Sequence, residues 1–199
     1  SASQKSALIQ IKESFKIQDV CLLHGVTSSG KTEIYVSLIQ EALKQDKQVL
    51  FLLPEIALTT QLISRLKAYF GNILAVFHSK YSLNERVEVW QNLLEKSDKA
   101  KIIIGARSAV LLPFSNLGLI IVDEEHENSY KQFEPSPRYH ARDAAIVLAN
   151  IHKAKVVLGS ATPSIESYYN AQNNKYGLVE LSERFGEGTL PNIELIDLK

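Results

Sequence analysis

Short apolar runs recur along the chain, and between them the apolar positions switch to helical spacing. Val20–His24, Gln48–Leu53, Ile73–Phe77, Lys101–Ile104, Gly118–Val122, Lys155–Leu158 and Leu178–Leu181 are rich in aliphatic and β-branched residues and predict strands. Lys31–Gln45, Ala57–Phe70, Leu83–Glu95, Ala141–His152 and Ile165–Asn173 carry apolar residues three and four apart and predict helices. The strand runs show little apolar–polar alternation, so both of their faces are expected to be covered. Strands of that kind, separated by helices, predict an α/β fold in three layers: a mainly parallel sheet flanked by helices.

In such sheets the functional loops gather where strands end at their carboxyl side. The unusual segments of this chain follow the predicted strands: Gly25–Thr32, Pro54-Glu55, His78-Ser79, Gly105–Ser108, Asp123–His126 and Gly159–Ser164. They predict one composite site along one sheet edge. Glu127–Arg138 reads as the longest loop. Phe185–Leu190 reads as a linker, and Pro191–Lys199 opens a further apolar run.

The first of these segments is the most specific. Gly25-Val26-Thr27-Ser28-Ser29-Gly30-Lys31-Thr32 matches G-x-x-x-x-G-K-[ST] and lies between a predicted strand and a predicted helix, the context of a phosphate-binding loop. Glycines let the backbone curl until successive N–H groups face an anion, and the following helix adds its positive end. Lys31 supplies an ammonium for the β- and γ-phosphates, and the Thr32 hydroxyl can ligate Mg²⁺. A second signal is Gly118-Leu119-Ile120-Ile121-Val122-Asp123-Glu124-Glu125-His126, an aliphatic strand that carries carboxylates to its end. Adjacent buried carboxylates are costly without a cation. Asp123 is therefore expected at the metal, and Glu124 as acceptor of a proton from the attacking water. An acidic cap on a helix N-terminus would leave the same trace. A third element, Gly159-Ser160-Ala161-Thr162-Pro163-Ser164, places hydroxyls at a strand end, where they could bond the acidic pair and sense a γ-phosphate. It would equally serve as a capping turn.

Composition narrows the classes. Lysine plus arginine and aspartate plus glutamate each total 22 of 199 residues, so the formal net charge is zero. This weighs against a stand-alone nucleic-acid binder but leaves room for a few donors to a phosphate backbone. No apolar run approaches a membrane span, and no export signal is read at the start. The single cysteine, Cys21, excludes an intrachain disulfide and a four-cysteine zinc site, and a cytoplasmic setting is expected.

The three elements, in this order, resemble motifs I, II and III of the first RecA-like motor lobe of superfamily 2 helicases, with Asp123-Glu124-Glu125-His126 as motif II and Ser160-Ala161-Thr162 as motif III. Leu53–Thr59, Phe77-His78-Ser79, Glu85-Arg86, Ile104–Ala109, Ser129–Gln132 and Arg138–Asp143 are similar to the primosomal replication-restart helicases. The resemblance implies a P-loop NTPase fold, ATP with Mg²⁺ as cofactor, and 3′→5′ movement along DNA at stalled forks. It implies that Gln4 reads adenine. It implies that Pro54, Thr59, His78, Arg107 and Ser108 lie on the DNA-facing side, and that Ser160 and Thr162 take part in coupling. Tyr130, Lys131, Phe133, Arg138, Tyr139 and His140 resemble the aromatic-rich loop after motif II, which would couple single-strand binding to hydrolysis. The competing account of those rings is that they anchor a long loop. Implied partners are single-stranded and forked DNA, single-stranded-DNA-binding protein and primosome proteins, with no membrane. Residues 1–184 are expected to be the ATP-binding lobe, and 185–199 a linker and the start of a second lobe. That lobe would supply an arginine finger and a zinc-binding insertion. Ser28 stands where the family usually has glycine, and Glu134–Pro137 lacks a tryptophan that some members carry. Two other readings share part of the pattern: a P-loop kinase, and a non-catalytic DNA-binding domain that keeps the fold.

Overall fold

A computed structural model describes residues 1–183, except Ser28, Leu58, Thr59, Lys80 and the side chain of Ile56. The expected boundary at 184/185 lies outside the described residues. Among the described residues, seven strands form one sheet: β1 (Val20–Gly25), β2 (Gln48–Leu52), β3 (Leu74–Phe77), β4 (Ile102–Gly105), β5 (Leu117–Asp123), β6 (Lys155–Ser160) and β7 (Gly177–Leu181). Their order is β3-β4-β2-β5-β6-β1-β7, and every pairing is parallel. Parallel strands need crossovers, and the helices supply them: α1 (Ala2–Ser14), α2 (Lys31–Lys44), α3 (Thr60–Phe70), α4 (Leu83–Leu94), α5 (Ala141–His152) and α6 (Ile165–Gln172).

The two-residue period of a strand divides the core. In β5, Leu119 and Ile121 join the face packed by α1, α2 and α3, together with Ile11, Tyr35, Ile39 and Leu66. Ile120 and Val122 join the opposite face with Val89, Leu93, Ala145 and Ala149, from α4 and α5. All four β5 side chains are 4 % exposed or less. Burial on both faces explains why this strand reads as a continuous aliphatic run. Each such side chain contributes roughly 1.5–3 kcal/mol over its exposed state, so the strand ends that carry the site are held by a rigid sheet.

The order of strands makes the site. β6 lies between β1 and β5, with Leu23 opposite Gly159 on one side and Asp123 opposite Gly159 on the other. The ends of three strands distant in sequence therefore meet at one edge.

Three departures from the sequence reading have physical causes. Strands β4, β5 and β6 run on to Gly105, Asp123 and Ser160. Ladder hydrogen bonds continue whatever the side chain, so polar residues are carried into the sheet edge. Of the helix expected over Ala57–Phe70, Thr60–Phe70 is α3 and Ala57 closes a 3₁₀ turn, Glu55–Ala57, while Leu58 and Thr59 lie outside the described residues. Helix α1 was not anticipated, because only Ala7 and Ile11 of its thirteen residues are buried. Its one local signal is the Ser1–Gln4 capping box, closed in both directions.

Candidate nucleotide-binding site

Gly25 ends β1 and Gly30 caps α2 with φ +83°, a left-handed conformation that favours glycine. A side chain at position 30 is excluded a second time, since its Cβ would stand 2.0 Å from Gln4 Nε2. That amide reaches the loop from α1 and donates to the carbonyls of Ser29 and Gly30, each at 3.4 Å. Lys31 folds back over the loop, its Nζ donating to the Gly25 carbonyl at 2.8 Å. A neutral carbonyl is a modest partner for an ammonium, and an anion in the loop would compete well for it. The Ser29 hydroxyl is buried and has no hydrogen-bond partner among the described residues. Val26 is half-buried and Thr27 exposed, and Ser28 lies outside the described residues.

Across the cavity, Asp123 stands at the end of β5. Its Oδ1 accepts from the Tyr35 hydroxyl at 2.8 Å, and its backbone carbonyl accepts from the Tyr130 hydroxyl at 2.7 Å. Burial pushes the Asp123 carboxyl from 3.8 up to about 6; the Glu124 charge adds to the rise, while Tyr35 and Lys31 oppose it. Glu124 has φ +47°, an uncommon value for a residue with a Cβ and one that concentrates at functional sites. The backbone reverses there and gives three successive acids three environments. Asp123 and Glu124 line the cavity, and Glu125 turns into the protein, fully buried.

The cavity measures about 600 Å³, and Lys31, Thr32, Asp123 and Glu124 share it with Gln4 and the loop. The sequence placed the amine at 31 and the acids at 123 and 124 in one pocket, and the structure brings them together. An anion cradle, an ammonium, a hydroxyl and two carboxylates are a donor set that fits a triphosphate with a divalent cation. Arg65 and Glu33 also line this cavity. The Arg65 guanidinium pairs with Glu33, whose carboxylate also accepts from the Tyr69 hydroxyl. Nothing in the sequence marked Arg65, a polar position on an amphipathic helix.

The third element departs from expectation in its partners. The hydroxyls of the segment Gly159–Ser164 were expected to bond the acidic pair. Instead Ser160 Oγ meets His126 Nδ1 at 2.8 Å, and Thr162 Oγ1 meets His126 Nε2 at 3.3 Å. His126 Nδ1 lies 3.8 Å from Glu124. The imidazole thus stands between β6 and the acids. The hydroxyl that does reach a carboxylate is that of Ser164, and the carboxylate is Glu125. Glu125 accepts from Ser164 N at 2.7 Å, Ser164 Oγ at 3.0 Å, Ser167 Oγ at 2.8 Å and Arg142 Nη1 at 3.0 Å. Sequence reasoning gave Glu125 and Arg142 no role; their roles rest on which way each residue of a charged cluster faces.

The residues grouped as DNA-facing separate. Arg107, Lys131, Phe133 and Arg138 line a second concavity of about 550 Å³, with Phe133 66 % exposed. Ser108 is exposed nearby in sequence. Tyr139 and His140 are half-buried, and burial pushes the Tyr139 hydroxyl up while the adjacent Arg107 guanidinium pulls it down. Tyr130 is fully buried, so its ring offers no surface for a base. Pro54 and His78 are buried as well. Composition identifies an aromatic-rich loop but not which rings turn inward. Thr59 lies outside the described residues. Arg107 does not stand free: its Nη1 donates to the carbonyls of Lys131 at 2.9 Å and Ser129 at 3.4 Å, bracketing Tyr130.

Comparison with known proteins identifies the family and the fold. The family model described as "DEAD/DEAH box helicase" matches residues 1–171. The chain belongs to the DEAD/DEAH box helicases. Among curated relatives, the replication restart protein PriA of Bacillus subtilis is 46 % identical over 198 residues, covering 98 % of this chain and 24 % of that protein. PriA of Haemophilus influenzae is 52 % identical over 181 residues, covering 91 % and 24 %. This DEAD/DEAH box helicase chain therefore spans about a quarter of the length of these relatives. The crystal structure of the UvsW helicase from bacteriophage T4 superposes with a TM-score of 0.60 at 19 % identity, covering 91 % of this chain and 59 % of that one. The RecA-like fold and the resemblance to a replication-restart motor lobe are borne out. Membership of the family implies binding of ATP with a divalent metal. Among the described residues, no helix is long and apolar enough to cross a membrane.

Two expectations follow from the acids. Glu125→Ala leaves Arg142, whose side chain is 10 % exposed, with the exposed Asp143 as its remaining ionic partner. Stability should fall by about 3–5 kcal/mol, read as a shifted urea midpoint; an unmoved midpoint would contradict the buried network. Asp123 titrates with the opposite sign to a salt-bridged acid. The folded protein binds its proton more tightly than the unfolded chain, so this group's stabilising contribution is full below 3.8 and is lost as pH rises to about 6. In EDTA, the Tm of Asp123→Asn should gain on the native protein across that window. A constant difference between the two melting curves would exclude the shift.

Proposed function

We propose that this chain is the ATP-binding first motor lobe of a 3′→5′ DNA helicase that unwinds DNA at stalled replication forks and promotes primosome reassembly in the cytoplasm. The observation that carries the proposal is the convergence of Lys31, Thr32, Asp123 and Glu124 on one cavity at the N-terminus of α2. The high identity to replication restart proteins supports the setting.

In this reading the backbone of residues 25–32 and the start of α2 hold the phosphates, and Gln4 meets the adenine. Lys31 leaves the Gly25 carbonyl for the β- and γ-phosphates and offsets charge that develops on the transferred group. Thr32 and Asp123 would hold Mg²⁺, which when bound draws charge from the phosphate oxygens. Glu124 orients the attacking water and accepts its proton. His126, bonded to Ser160 and Thr162, fixes the turn that carries Glu124. Arg107, Ser108, Lys131, Phe133 and Arg138 form the DNA-facing surface, where cations meet phosphates and a ring stacks on a base. A second lobe, with an arginine finger and a zinc-binding insertion, belongs to the remainder of the longer protein. Single-stranded and forked DNA, single-stranded-DNA-binding protein and primosome proteins are the proposed partners.

Lys31→Ala in the longer protein should abolish ATP hydrolysis while DNA affinity, measured by fluorescence anisotropy, is largely kept. Preserved turnover would refute the phosphate-loop assignment. The chain by itself should turn over ATP about 10³–10⁵-fold more slowly than the longer protein with single-stranded DNA, the range an arginine finger supplies. Equal DNA-stimulated rates would mean that the chain is a complete motor.

A further inference from the structure

Tyr35 lies on α2 four residues after Lys31 and three after Thr32. Those spacings put it on the same helix face, beneath the phosphate loop. Its side chain is fully buried, and its ring meets Phe51 edge-on at 5.5 Å between centroids. The hydroxyl emerges from this packing at one point, 2.8 Å from Asp123 Oδ1.

The neighbouring strand is shaped around that hydroxyl. Gly159 of β6 stands opposite Asp123, and a Cβ added there would lie 1.8 Å from the Tyr35 oxygen. The glycine here answers a need for space. Two elements thus cooperate in the contact: α2 delivers the phenol, and β6 withholds a side chain to admit it.

The chemistry of the donor matters. An arginine or lysine in this place would neutralise Asp123 and compete with a cation. A phenol fixes one carboxylate oxygen and leaves the charge intact. The phenol has one O–H to give, and at 2.8 Å it gives it to Asp123 Oδ1. The cavity receives a carboxylate with one oxygen already committed and its rotamer set. Because α2 begins at the phosphate loop, the same contact ties the position of Asp123 to that of the phosphates.

We propose that Tyr35 is a positioning residue for the divalent cation: its hydroxyl holds Asp123 Oδ1 and so presents Oδ2 to the metal that accompanies the nucleotide. The proposal rests on the assignment of Asp123 as a metal-holding residue. Outer partners of this kind govern metal affinity by about 10–100-fold.

The test is a Mn²⁺ titration of the binding of a fluorescent ATP analogue, with direct detection of bound Mn²⁺ by electron paramagnetic resonance. Tyr35→Phe should move the Mn²⁺ midpoint upward by about 10–100-fold, and thermal melting in EDTA reports any purely structural cost separately. A variant that melts lower but keeps the native Mn²⁺ midpoint overturns the proposal and makes the bond one of packing alone. Gly159→Ala provides a second arm, because its Cβ would press on the Tyr35 oxygen at 1.8 Å and, less closely, on Asp123 Oδ1 and the Tyr35 ring at 3.0 Å. It should reproduce the shifted midpoint, and a native Mn²⁺ midpoint in Gly159→Ala overturns the proposal. If the native protein binds the analogue with a Mn²⁺ dependence that Tyr35→Phe leaves unmoved, the positioning role fails and the metal site stands. If the native protein shows no Mn²⁺ dependence, both fall.

Discussion

The structure depends on a carboxylate held where carboxylates are expensive. Asp123 ends a strand whose preceding residues are aliphatic and buried, so it reaches the sheet edge with little water around it. Its raised pKa is the measure of that cost. Such a group persists where a partner stabilises the charged form, and the partners on hand are a phenol, an ammonium across the cavity and whatever cation the cavity takes up. The phosphate loop, the α2 dipole and Lys31 face it from β1. β6, between the two strands, contributes a glycine on the Asp123 side. The sheet order is therefore inseparable from the chemistry: with β6 elsewhere, neither the approach of Tyr35 nor the convergence of the two charged ends would be possible.

The run of three acids shows how one backbone reversal distributes charge. In an extended strand, adjacent side chains alternate between faces, so Asp123 and Glu124 would point apart. The left-handed turn at Glu124 brings both to the cavity and sends Glu125 inward. There Glu125 is satisfied by two serines and Arg142, a buried charge with a full set of donors. It ties the end of β5 to the starts of α5 and α6. The strained turn is thus pinned from below by the acid that does no chemistry in the cavity.

Much of this was legible in the chain. The aliphatic runs located the seven described strands: burial on both faces leaves an unbroken apolar signature in the inner ones, while the edge strands β3 and β7 are buried at alternate positions. The glycine-bounded loop announced its own turn, because φ +83° at Gly30 narrows the choice of residue. What escaped had no local cause. Helix α1 rests on two buried side chains, too few for an amphipathic pattern. Tyr35 looks like an ordinary core aromatic until a partner distant in sequence appears beneath its hydroxyl. Arg65, Glu125 and Arg142 belong to polar stretches whose facing is decided by tertiary contacts. Tyr130, His78 and Pro54 were grouped with surface residues for the same reason: a motif fixes sequence neighbours and leaves the direction of a ring undecided.

Tyr130 gives the aromatic-rich loop a second meaning. Its ring is buried and its hydroxyl grips the Asp123 carbonyl, while Arg107 holds the carbonyls on either side of it. Arg107 also lines the outer concavity with Phe133 and Arg138. One guanidinium therefore sits between the surface we assign to DNA and a residue whose hydroxyl touches the backbone of Asp123, the acid we propose for the metal. A phosphate that drew Arg107 outward would cost it the Lys131 and Ser129 carbonyls, and the loop segment carrying Tyr130 would lose its clasp. The two accounts of the aromatic residues, anchorage and coupling, then cease to compete: a loop can pass on the state of its outer face only if some of its rings are anchored at the other end.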